Sequence, residues 1–163
     1  LAALCGLTGI ASPGFTCLPD TDLEGKVAAA DEALESHGFV SLHIKAPDIL
    51  AHDCDPEGKR DLIERIDAAL GPLLARDDIA LGVTADHTTN SQTGRHTGDP
   101  VPALLRAPGG RRDRVTTFGE QDCIVGGLGR LRAHAYFRCL ADAAGLMPAF
   151  SRPEGPGAWP YQP

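Results

Sequence analysis

Three stretches of this sequence place imidazole and carboxylate side by side. Lys45-Ala-Pro-Asp48-Ile-Leu-Ala-His52-Asp53 carries an aspartate and a histidine four residues apart, so one loop or helical turn can present both to one ion. Asp86 and His87 are adjacent; their side chains diverge and need not serve the same ion. Arg95-His96-Thr-Gly-Asp99 is the third stretch. Carboxylate plus imidazole is the ligand set of Zn²⁺, Mn²⁺ and Fe²⁺ sites. Five such ligands overfill one tetrahedral ion and part-fill two, and paired ions about 3.5–4 Å apart are the usual apparatus of phosphoryl transfer. A lone Asp-His pair is more often a helix cap or a loop hydrogen bond. The case for metal rests on three pairs in successive loops. Lys45 either holds an anionic substrate or pairs with Asp48.

Other reactive residue types read more plainly. His43 falls in a β-prone run and reads as a core histidine, and His37 and His134 as surface or cap residues. Arg111-Arg112-Asp113-Arg114 reads as a solvated loop. The five cysteines, at 5, 17, 54, 123 and 139, are odd in number, widely spaced and form no CxxC, which favours reduced thiols over a disulfide framework. Cys54 stands close to the first Asp-His pair, but nothing in the sequence makes it a nucleophile.

The elements that must position these residues follow from periodicity. Asp22 to about Ser36 steps its apolar residues by three and four (Leu23, Val27, Ala30, Leu34), which predicts a helix capped by Asp22 and closed by Gly38 at the C′ position. Pro56 opens a second amphipathic helix running to about Arg76. Phe39–Ile44, Asp78–Thr84 and Val101–Arg106 read as buried strands, and residues 15–18 as a possible short one. A helix over about 133–144 closes the folded part. Strands alternating with helices predict an α/β fold, a mostly parallel sheet with helices on both faces. In such sheets ligands sit at the carboxyl ends of the strands, where the Asp-His loops fall. Residues 1–147 form the expected domain, and the Pro/Gly-rich stretch 148–163 reads as a tail.

Composition bounds the function. The chain has 163 residues, 22 acidic against 15 basic, and a net charge of −7. That balance argues against a general nucleic-acid binder and fits a binder of cations. No run is long and apolar enough to span a membrane, and no signal peptide is seen, so a cytoplasmic location is expected. The sequence begins at Leu1 and its one methionine is Met147, which suggests a fragment.

At these residues a family resemblance emerges. HIKAPDILAHDCD, VTADHTTN, RHTGDPVPALL and FGEQDCIVGGLGRLRAH resemble, in order and spacing, the C-terminal part of the archaeal-type 2,3-bisphosphoglycerate-independent phosphoglycerate mutases, members of the alkaline phosphatase superfamily. The resemblance implies part of an alkaline-phosphatase-like core. It implies that Asp48, His52 and His96 bind one divalent ion (Mn²⁺, Zn²⁺ or Mg²⁺) and that Asp86 and His87 contribute to a second. It implies a Ser or Thr nucleophile in an N-terminal half not represented in this sequence, and no need for 2,3-bisphosphoglycerate. The small phosphorylated acid would pass its phosphoryl group to that nucleophile and take it back on the other hydroxyl. Ala51 and Cys54 stand where the family usually has glycine, and Thr88 where serine is common. Two other functions remain open: a metal-dependent phosphatase or phosphomutase acting on another phosphate or phosphonate metabolite, and a non-catalytic remnant that binds metal or a partner. The chain alone is expected to be inactive, and to self-associate or to need a covering segment.

Overall fold

The computed structural model describes residues 2–147, so the expected tail at 148–163 lies outside the described residues. The chain divides into two compact units. Among the described residues, one comprises those up to Arg76 together with Ala85–Val101, and the other Asp77–Thr84 together with residues 102–147.

The first unit is built on helices. α1 (Leu23–Leu34) is capped by Asp22, whose carboxylate accepts the Gly25 N–H at 2.8 Å. α2 (Ala46–His52) begins with a proline in its first turn. α3 (Pro56–Ala69) repeats the aspartate cap, with Asp55 accepting from Gly58 N at 2.8 Å. In both caps a Cβ in place of the glycine hydrogen would lie 2.2 Å from a carboxylate oxygen, so a larger residue there would make the capping aspartate shift. The expected single helix to Arg76 breaks after Leu70, and α4 (Gly71–Ala75) restarts it with Pro72 in its first turn. Proline has no N–H to continue the ladder and its ring clashes with the preceding turn.

Leu23, Val27, Ala30 and Ala33 of α1 bury against α3 and α4, where Leu62, Ala69 and Leu73 complete the core; Ala46 and Ala51 of α2 are fully buried. Fully burying a leucine such as Leu23 or Leu62 contributes roughly 1.5–3 kcal/mol. Lys26 is also buried, and its ammonium donates to the Thr16 and His43 carbonyls at 3.1 and 3.2 Å, satisfying a charge that would otherwise be costly. Arg76 bridges to Asp31 and Glu35 of α1 at 2.8 and 3.0 Å.

After Ala85 this unit adds a hairpin of β2 (Thr88–Asn90) and β3 (Arg95–Thr97), paired antiparallel with Thr89 opposite His96. The Asn90 side chain accepts from Gln92 N, and Gly94 takes the left-handed conformation (φ +64) that closes the turn.

The second unit pairs β1 (Leu81–Val83) with β4 (Leu104–Arg106), again antiparallel. α5 (Glu120–Cys123) and α6 (Ala133–Ala143) follow. Tyr136 and Leu140 of α6 cover Gly82, where a Cβ would lie 2.7 Å from the tyrosine oxygen. The Tyr136 hydroxyl donates to the Leu104 carbonyl at 2.6 Å and lies 3.3 Å from that of Val83. Burial pushes this phenol up to about 12, against the opposing effect of the Val83 contact.

Several expectations differ from what is observed. The two sheets among the described residues are both two-stranded and antiparallel, where a parallel sheet was expected. A parallel pair needs a long crossover, usually helical. The chain between β1 and β4 instead holds the β2–β3 hairpin and returns in the opposite direction. No strand forms at 39–44 or at 15–18 among the described residues, and His43, expected in the core, is exposed. α1 ends at Leu34 with Glu35 as its C-cap, and Gly38 does not take a left-handed φ.

Candidate metal centre

The first unit brings three of the sequence-predicted residues to one point. Asp48 and His52 lie one turn apart on α2, and His96 reaches the same place from β3. The His52 Nε2 to Asp48 Oδ1 distance is 3.4 Å, His96 Nε2 to His52 Nε2 is 3.2 Å, and His96 Nε2 to Asp48 Oδ1 is 3.8 Å. A tetrahedral ion with ligand bonds of roughly 2.0–2.1 Å has ligand-to-ligand edges of about 3.3–3.4 Å. Two of the three separations lie within about 0.2 Å of that edge, and the third, His96 Nε2 to Asp48 Oδ1 at 3.8 Å, is longer than it. The residue types and the spacing both fit a divalent metal.

The surroundings set which atoms face that point. His52 Nδ1 lies 2.8 Å from the Gly94 carbonyl. A carbonyl only accepts, so Nδ1 carries the proton and Nε2 presents its lone pair to the cluster. Thr89 is buried, and its hydroxyl donates to Asp48 Oδ1 at 2.6 Å while lying 3.3 Å from His87 Nδ1. Lys45 donates to the other Asp48 oxygen at 2.5 Å. Burial by itself raises the Asp48 carboxyl. The hydrogen bonds from Lys45 and Thr89, with the charges of Lys45 and His52, outweigh burial and hold it at about 2. The Lys45 ammonium is correspondingly raised, chiefly by its hydrogen bond to Asp48.

His87 stacks on His96 with ring centroids 3.9 Å apart and an interplanar angle of 32°. Donor atoms of Asp48, His87 and His96 also lie within 4.8 Å of one another. Asp86 stands apart. Its side chain is 82% exposed, with one oxygen accepting the His87 N–H at 3.2 Å and the other 3.6 Å from His87 Nε2. Asp99 braces the hairpin, accepting from Thr97 at its carboxylate and from Thr88 at its carbonyl. Asp53 is the C-cap of α2. Lys45 is paired with Asp48.

Two contributors went unseen in the sequence: Thr89 and the Gly94 carbonyl. The signal that locates them is the polar stretch Thr-Thr-Asn-Ser-Gln-Thr-Gly-Arg-His, a hairpin with glycine at its left-handed position. The hairpin register then sets Thr89 and His96 on one face. Cys54, just beyond α2, is the one non-glycine among the described residues with positive φ (57°), and its sulfur lies where a Cβ on Gly94 would approach to 3.3 Å.

Comparison with known proteins agrees with this chemistry. Residues 8–141 match the Metalloenzyme superfamily. A 2,3-bisphosphoglycerate-independent phosphoglycerate mutase of Methanosphaerula palustris is 45% identical over 137 residues, covering 84% of this chain and 33% of the relative. The mutase 1 of that name from Archaeoglobus fulgidus is 42% identical over 147 residues, covering 89% and 36%. The chain thus spans about a third of the length of these curated relatives. A solved structure of a Pyrococcus horikoshii protein superposes with a TM-score of 0.87 at 34% identity, covering 91% of this chain and 46% of that one. No helix among the described residues is long and apolar enough to cross a membrane.

Proposed function

The chain belongs to the metalloenzyme superfamily, and we propose that it forms the C-terminal part of a metal-dependent enzyme that interconverts 2- and 3-phosphoglycerate. The observation that carries this is the triangle of Asp48 Oδ1, His52 Nε2 and His96 Nε2, with edges of 3.2–3.8 Å. Asp48, His52 and His96 hold one divalent ion (Mn²⁺, Zn²⁺ or Mg²⁺), and Asp86 and His87 contribute to a second. The ions supply charge neutralisation for the transferring phosphoryl group. The chain's own residues prepare that site. Thr89 and Lys45 fix the Asp48 carboxylate, and the Gly94 carbonyl fixes the His52 ring, so the donor atoms need little rearrangement. Lys45, whose ammonium stands at the cluster's edge, draws the anionic substrate.

The phosphoryl group passes to a Ser or Thr nucleophile contributed from outside this chain and returns to the other hydroxyl of the bound glycerate, with no bisphosphoglycerate required. The whole protein works in the cytoplasm, and in it residues 39–44 join a mostly parallel sheet with helices on both faces. The 163-residue chain is inactive by itself, because on this reading the nucleophile and the rest of the second ion's ligands come from outside it.

A chimaera tests this. This chain would replace the segment it matches in the Methanosphaerula palustris mutase, and phosphoglycerate would be followed by ³¹P NMR. Interconversion that requires a divalent ion and disappears in His52→Ala is the expected result. Release of inorganic phosphate without interconversion would favour a phosphatase instead. Turnover by the isolated chain would overturn the assignment of the nucleophile.

A further inference from the structure

Arginine is unevenly placed in this acidic protein. Between Arg106 and Arg138 the sequence has seven arginines, no lysine and three acidic residues, Asp113, Glu120 and Asp122. Five of the seven, Arg111, Arg112, Arg114, Arg130 and Arg132, are exposed, and among the described residues none of the five makes a side-chain hydrogen bond or ion pair. By contrast, Arg60 and Arg76 are both paired with carboxylates. Crowding five like charges opposes folding, and among the described residues none of the five is ion-paired.

Asp113 joins the two arginine stretches. One carboxylate oxygen accepts from Val115 N at 2.9 Å and the other from Gly127 N at 2.6 Å. The hydrogen bonds from the Gly127 and Val115 amides hold its carboxyl below the usual range. The approach is close: a Cβ on Gly127 would lie 3.3 Å from the Asp113 Cβ, and one on Gly126 3.5 Å from its carboxylate. Arg111, Arg112 and Arg114 flank Asp113 in sequence. Arg130 and Arg132 follow Gly127 by three and five residues, which places the Arg130 backbone within about 11 Å of the clasp. The acidic residue inside the arginine run is held by backbone amides rather than by a guanidinium, so its single charge faces five arginines without a direct ion pair. Each guanidinium is a planar fork suited to bidentate contact with phosphate oxygens.

We infer that this arginine junction, centred on the Asp113–Gly127 clasp, is a binding site for a small phosphate-bearing anion. It lies in the second compact unit and does not depend on the metal reading of the first.

The test uses the metal-free 163-residue chain in excess chelator, titrated with inorganic phosphate. Arginine Nε–Hε NMR signals report binding, and sodium chloride at matched ionic strength is the control. Saturable shifts at Arg112 and Arg130 in the millimolar range, with no counterpart in chloride, are expected. Arg112→Gln with Arg130→Gln should weaken the apparent affinity at least about fivefold. Asp113→Ala is the sharper variant. Removing a negative charge strengthens anion binding if charge accumulation is all that matters, whereas opening the clasp weakens it at least about threefold if the geometry is the site. Asp113→Asn, which keeps the size and one acceptor, should fall between wild type and Ala, and it serves if Ala does not fold. Equal shifts in chloride, or tighter phosphate binding by both Asp113 variants, would overturn the inference.

Discussion

Gly94→Ala should damage stability and metal affinity together. The backbone at Gly94 has φ +64, a conformation that disfavours an L side chain by about 1–2 kcal/mol. The added Cβ would also lie 2.7 Å from the His52 carbonyl oxygen and 3.3 Å from the Cys54 sulfur. The first of these neighbours is backbone at the end of α2, so the hairpin must retreat rather than a side chain swing aside. The expected loss of stability is therefore at least about 2 kcal/mol. The same retreat lengthens the 2.8 Å contact between His52 Nδ1 and the Gly94 carbonyl, the contact that aims Nε2 at the cluster. Losing an orienting partner of this kind weakens metal binding roughly 10–100-fold. Urea unfolding gives the first quantity and calorimetric titration with Mn²⁺ the second. Gly38→Ala is the control, because a Cβ there meets nothing within 4 Å; it should stay within about 0.5 kcal/mol of wild type. A Gly94→Ala protein that unfolds at the wild-type urea concentration and binds Mn²⁺ with wild-type affinity would refute the coupling of hairpin and helix.

Three further outcomes are expected. Asp48 is held at about 2 against an ordinary 3.8, so its stabilisation is complete above about pH 4 and lost as pH falls through 2. In metal-free protein the gap between wild type and Asp48→Asn should be on the order of 1–2 kcal/mol at pH 6 and vanish near pH 2, and a gap that grows on acidification would contradict this. Tyr136→Phe, which deletes the hydroxyl bonded to the Leu104 carbonyl, should cost about 1 kcal/mol in thermal unfolding without altering metal affinity; a shift in metal affinity would mean that α6 acts on the site. Cys54→Gly should stabilise by about 0.5–1 kcal/mol, because glycine accepts the positive φ that cysteine resists; a destabilised variant would show that the Cys54 side chain contributes packing that outweighs the strain.

The longer helices α1, α3 and α6 were legible because their signals are local, whereas the short α2 and α5 were not foreseen. Asp22 caps α1 through a D-x-x-G pattern, and the Leu23, Val27 and Ala30 spacing gives the buried face. α6 stands within a residue of its expected span for the same reason. The sheet was legible only in part because short apolar runs do not state their partners: Leu81–Val83 and Leu104–Arg106 are strands, but what lies between them decides that this pair runs antiparallel. At the site, residue types marked Asp48, His52, Asp86, His87 and His96 as candidate ligands, the family resemblance grouped Asp48, His52 and His96, and the structure draws those three together. Thr89 escaped notice because a buried threonine matters here through register, and register depends on a hairpin whose strands are only three residues long. Cys54 illustrates the converse. The family's usual glycine at that position reads as a detail in the sequence, and the positive φ supplies its physical reason.

Titration of the metal-free chain with Mn²⁺ or Zn²⁺, alongside His52→Ala and His96→Ala, tests the central claim most directly. One tightly held ion per chain is expected, with each substitution weakening it at least about 100-fold, since each removes a direct ligand. An absence of saturable binding, or binding that both variants retain, would contradict the assignment of Asp48, His52 and His96 as a metal centre.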